Sequence, residues 1–157
     1  MSMQAAPPKP APPKPPAPMV DQKYGSPAQI MALPPAKLVA ILKDTQASVY
    51  AKAKACQKLA VVGDASAVPA LVPLLSDEKL AHYARFALEP MPRGAADDAL
   101  RAALPKLKGD LLIGVINSLA KRKDPRSVDA LSNYVHDGDV EVARAAIEGL
   151  AKLRPAL

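Results

Sequence analysis

The chain has 157 residues and a net charge of +6, and half of its residues are apolar but only 3% aromatic, so Leu, Ala and Val must build any core. One cysteine, Cys56, excludes an internal disulfide framework and a Cys-based zinc site, and no apolar run approaches the ~18 residues of a membrane span. The modest positive charge permits acidic partners without demanding nucleic acid.

Residues 1–25 read as a tail. Eight of the 18 prolines fall between Pro7 and Pro18. Proline fixes φ, removes backbone donors and cannot enter a helix interior, so AAPPKPAPPKPPAP is expected to be disordered as a folded unit and extended as polyproline II, about 3.1 Å per residue. A plain tether, a ligand for an SH3-like groove and a contact to an anionic surface are the readings it allows. Met1 to Ala6 lacks the apolar core of a secretory signal. The Pro/Lys spacing resembles that of spacers in bacterial envelope proteins, which implies an envelope or periplasmic location if a signal has been removed.

Residues 26–157 read as one helical domain. Apolar positions recur at 3 to 4 residues, the helical period, and nothing alternates long enough to be a strand. Four helix pairs are predicted: 34–43 with 47–61, 66–75 with 78–89, 95–106 with 110–121, and 125–135 with 139–153. Asp124-Pro125 is an N-cap followed by proline at the first helical position, Asp110 is placed to cap the next-to-last pair's second helix, and Lys121, Arg122 and Lys123 complement a helix C-terminus. Glu89-Pro90-Met91-Pro92 should end a helix early. Pro73 and Pro105 fall inside predicted helices and should kink or shorten them.

The pairs repeat. Shifted by 60 residues, Leu59, Asp64, Val68, Ala70, Leu71 and Asp77 meet Leu119, Asp124, Val128, Ala130, Leu131 and Asp137. Downstream, Ala84, Arg85, Ala87, Leu88 and Glu89 meet Ala143, Arg144, Ala146, Ile147 and Glu148. Ala99-Leu100 lies midway between the two copies, so the true period is about 30. One helix pair cannot bury its own apolar stripe. Stacked neighbours share a core, and each unit touches only the next.

The Gly63–Asp77 run, with the pattern G-D-x-x-A-V-P-x-L-x-x-L-L-x-D, and the A-R-x-A-L stretch Ala84–Leu88 resemble the short HEAT-like repeats first described in phycobilisome lyases. The resemblance covers roughly residues 36–153. It implies an all-α solenoid of about four HEAT-like units, with the second helices lining a concave face suited to partner binding. It also implies that Arg85 and Arg144 reach back to the turn aspartates, Asp77 and Asp137.

On the second helices, Arg85, Glu89, Asn117, Arg144 and Glu148 occupy corresponding places and form the candidate partner-binding set. The i, i+4 pairs Arg85/Glu89 and Arg144/Glu148 share a face. A purely structural polar ladder is the competing reading. Lys106, Lys108, Lys121, Arg122, Lys123 and Arg126 form a candidate basic patch on the turns, either a contact for phosphates or acidic proteins or simply a solvated surface. One Phe and no Trp leave little for base stacking. Cys56 reads as a small buried hydrophobe. Phe86 is expected in the core, and Tyr83 too.

No metal, cofactor or catalytic set is expected. His82 and His136 lie in different units with no His-Glu step. The run from His136 to Glu141 lacks the later glutamate of a Ca²⁺ loop, and its acids should cap the last helix. No Gly-rich phosphate loop or nucleophile triad stands out. The sequence therefore favours a non-catalytic scaffold that binds a partner protein. The alternatives are nucleic-acid or anionic-surface binding through the basic patch, and a lyase-like activity on a chromophore.

Overall fold

The computed structural model describes residues 6–14 and 20–154. Within them it is all-helical, and its helices pack against one another. Residues 6–14 are exposed and carry no secondary structure. Positions 1–5 and 15–19 of the expected tail lie outside the described residues. Among the described residues no helix is long and apolar enough to cross a membrane.

Asp21, inside the segment assigned to the tail, is buried and tied to the helical body. Its carboxylate accepts the N–H groups of Lys23 at 2.8 Å and Tyr24 at 2.7 Å, and the Ser48 hydroxyl. That hydroxyl's bond, partly offset by burial, pulls the Asp21 pKa down. Tyr24 Oη and Lys23 Nζ both donate to Asp44 Oδ2, at 2.5 and 2.6 Å. A short helix α1, Pro27–Met31, follows and packs on α3, Val49–Val62. Ser26 and Gln29 form a reciprocal capping box around Pro27. This helix was not predicted, although S-P-x-Q carries its start signal.

The remaining elements fall where the repeat places them. Helix α2, Pro35–Lys43, pairs with α3. Helix α4, Val68–Leu71, lies between two 3₁₀ turns, Ala65–Ala67 and Val72–Ser76, and pairs with α5, Ala81–Leu88. Helix α6, Ala95–Ala103, runs into a 3₁₀ turn at Leu104–Lys106 and pairs with α7, Gly109–Arg122. Helix α8, Ser127–Ser132, pairs with α9, Val140–Leu153. Pro73 and Pro105 sit in the 3₁₀ turns, because a proline ring cannot follow an α-helical carbonyl four residues back.

Between pairs, α3 packs on α5, α5 on α7 and α7 on α9, while α2, α4, α6 and α8 touch in the same order. One core runs along both rows, and the repeat-equivalent leucines Leu59 and Leu119, and Leu71 and Leu131, are all fully buried in it. Cys56 is buried there too, and burial pushes its thiol pKa up to about 12. A thiol so held stays protonated at neutral pH and is a poor nucleophile.

Two caps differ from expectation: Asp124 and Pro125 lie ahead of α8, whose N-cap is Arg126 with no side-chain bond. Asp110 does not cap α7; it lies in the first turn, behind Lys108, which makes no side-chain cap. Asp139 does cap α9, accepting from Glu141 N. Phe86 is not in the core but 48% exposed. It lies one turn after His82 on α5, across from the buried arc Ala84, Ala87 and Leu88. Tyr83 is half-buried against the core.

Candidate functional site

An open groove of about 640 Å³ crosses α5, α7 and α9. Helix α5 and its C-cap supply His82, Arg85, Phe86 and Glu89. Helix α7 supplies Gly114, Asn117, Ser118 and Lys121, with Lys123 just beyond it, and α9 supplies Glu148 and Lys152. The three helices are successive second members of their pairs, so residues about 30 apart in sequence become neighbours in space. Four of the five predicted recognition residues, Arg85, Glu89, Asn117 and Glu148, line this one groove. The fifth does not: Arg144 lies on the outer arc of α9, 61% exposed, with its guanidinium 3.3 Å from Glu141.

The i, i+4 pairs predicted from spacing do not form. Glu89 instead bridges to the next helix, accepting from Ser118 Oγ at 2.8 Å and from Lys121 Nζ. Nor does either arginine reach its turn aspartate. Asp77 takes the backbone N–H groups of Lys79 and Leu80, and Asp137 that of Asp139. A carboxylate two residues before a free N–H closes an Asx turn at less entropic cost than a long arginine does.

Arg85 is thereby left alone. Its guanidinium is half-buried over Gly114: a Cβ built there would lie 2.5 Å from Nη1 and 2.8 Å from Nη2. Among the described residues no carboxylate comes within the 4.0 Å of an ion pair. Desolvation lowers the Arg85 pKa from its ordinary value, with Glu89 opposing that shift only from a distance. Only a helical residue without a side chain leaves room for the planar group to lie against α7. Sequence reasoning does not single out Gly114 or Ser118, because a glycine and a serine within an apolar helical pattern carry no site signal of their own.

The basic patch divides. Lys106, Lys108, Lys121, Lys123 and Arg126 are exposed. Arg122 is not: its side chain is 3% exposed and paired with the fully buried Asp97. Its Nη1 also donates to the carbonyls of Leu88, Glu89 and Met91 at 2.7, 2.8 and 2.9 Å, and Nη2 to Pro92 O at 3.2 Å. The Glu89-Pro90-Met91-Pro92 break frees these carbonyls, and Arg122 satisfies them from the next unit. Beside it, Asp124 accepts from Arg101 Nη1 at 2.6 Å and from Arg126 Nε at 3.2 Å. Burial raises the Asp124 pKa, but the two arginines outweigh it and hold the value at about 2. The same opposition lowers Asp97, where Arg122 and the Gly94 N–H outweigh desolvation.

Among the described residues no group of three His, Cys, Asp or Glu side chains is placed to hold a metal ion. His82 sits edge-on to Tyr83 at the groove, with ring centroids 5.6 Å apart, and His136 is exposed far along the chain. No family model matches the chain, and no curated protein sequence matches it.

Proposed function

We propose that the protein is a non-catalytic interaction module, a short HEAT-like α-solenoid that binds a partner protein in the groove across α5, α7 and α9. The two rows of helices, each packed on the next, support the solenoid reading. The observation that carries the binding reading is the convergence of Arg85, Glu89, Asn117 and Glu148 from three units onto one surface. These residues stand on packed helices, so docking orders side chains and not backbone. Residues 1–20 serve as a spacer, with the turn at Asp21–Gly25 fixing where it joins the domain.

The test is a photo-crosslinking amino acid placed at Asn117, with the same group at exposed Lys79 as control, in cells of the native source. A partner captured from Asn117 and not from Lys79 is then purified and reassembled with the chain. A one-to-one complex weakened by Asn117→Trp, which puts bulk rather than charge into the groove, at unchanged melting temperature, supports the reading. Equal capture from both sites, or a complex indifferent to groove substitutions, overturns it.

A further inference from the structure

We infer that Arg85, seated over Gly114, is an anion anchor that takes a carboxylate side chain from an acidic segment of the partner. This rests on the groove being a protein-binding surface. The argument begins with the other buried arginines. Arg122 and Arg101 are each paired with a buried aspartate and further bonded. Arg85 lies in a partly desolvated seat against Gly114, yet has no ion-pair partner among the described residues. A desolvated guanidinium without a counter-ion is a cost that a bound anion removes.

Charge and shape select the anion. The groove carries Arg85, Lys121, Lys123 and Lys152 against Glu89 and Glu148. Glu89 already holds Lys121, so the free excess is positive around Arg85. The guanidinium fork matches a carboxylate with two parallel hydrogen bonds. A phosphate backbone, with a charge at every step, would have to run past Glu89 and Glu148. A peptide can place one carboxylate on Arg85, a backbone amide on Asn117 and an apolar side chain against Phe86, whose ring is 48% exposed at the groove.

The test titrates the ¹⁵N-labelled full chain with an acetylated, amidated peptide, Gly-Leu-Glu-Glu-Leu-Glu-Gly. Its Gln-for-Glu counterpart and a twelve-nucleotide oligothymidylate are titrated in parallel. The expected result is saturable shifts of the Gly114, Asn117 and Ser118 amides with the Glu peptide. Affinity should fall at least tenfold in Arg85→Gln. Gly114→Ala, which keeps every charge but pushes the guanidinium off its seat, should lose several-fold while melting no lower than the parent. If the Gln peptide binds at these amides equally well, the carboxylate anchor is overturned and the groove survives as a peptide site. If the oligonucleotide displaces the Glu peptide there, the anchor serves phosphates, and the protein-partner reading falls with it. If the Glu peptide moves no groove amide, the anchor is overturned, whatever the Asn117 cross-link returns.

Discussion

Helices α5 and α9 carry the same motif and hold it differently. Leu88 and Ile147 are equivalent in the repeat, yet Leu88 is fully buried and Ile147 is 56% exposed. Arg85 and Arg144 are equivalent too, yet Arg85 lies against Gly114 and Arg144 pairs at the surface with Glu141. The difference comes from what lies next. Helix α5 is covered by α7, whose Arg122 and Lys121 reach back to it. Among the described residues nothing covers the far side of α9. Repeat position sets the direction of a side chain; the neighbouring unit sets its environment.

The largest way to break the α5 arrangement is to remove its clamp. Arg122→Ala leaves Asp97 charged, buried and unpaired, and strips four carbonyls of a donor. The cost should be about 3–5 kcal/mol, read as a shifted denaturant midpoint. Reversal of Arg144 at the α9 surface should change stability by no more than about 0.5 kcal/mol, as for an exposed i, i+3 pair. Equal costs would mean that the two helices are held alike.

Truncating the equivalent apolar residues sharpens the same contrast. Leu88→Ala should cost about 2–5 kcal/mol, because it leaves a cavity in the shared core. Ile147→Ala should cost under about 1 kcal/mol, since half its surface is already wet.

Acid should act mainly on the α6–α8 side of the clamp. Asp97 and Asp124 hold their protons less tightly in the folded chain than in the unfolded one. Their stabilisation is therefore complete above the ordinary carboxylate value of ~4 and is lost as pH falls through the folded value, about 2 for Asp124. Asp124→Asn should cost about 1–3 kcal/mol at neutral pH. It should also flatten the fall in stability between pH ~4 and 2. An unchanged acid profile would remove Asp124 from the account.

The helix positions and the fully buried leucines were legible because packing imposes a period on composition, and the period survives in one copy of the sequence. Four groove residues were legible for the same reason. The rest depends on contacts between units. Arg122 reads as a turn cation beside the solvated Lys121 and Lys123; only the carbonyls of Leu88, Glu89, Met91 and Pro92, some 30 residues away, show why it turns inward. Phe86 was assigned to the core on residue type, against a helical phase that places it on the exposed arc. The docking of Asp21–Gly25 was masked by the proline run before it, although Ser26-Pro27 already marked the start of a helix.

The smallest expected effect compares two glycines that sit mid-helix, Gly114 on α7 and Gly149 on α9. Replacing either by Ala gains up to about 1 kcal/mol of helix propensity, so any difference between them reports what the new methyl meets. At Gly114 it meets the flexible end of Arg85, which can swing into solvent. At Gly149 it meets Leu131 Cδ1 at 3.3 Å, Ala120 Cβ at 3.4 Å and Ile116 Cγ2 at 3.5 Å, all in the packed interface with α7 and α8. There the neighbours must yield, and crowding of this kind offsets the propensity gain. Gly114→Ala should therefore melt above Gly149→Ala, by a margin worth about 1 kcal/mol. If the order reverses, the Arg85 guanidinium is held over α7 more firmly than a solvent-facing side chain would be, and its seat contributes to folding as well as to recognition.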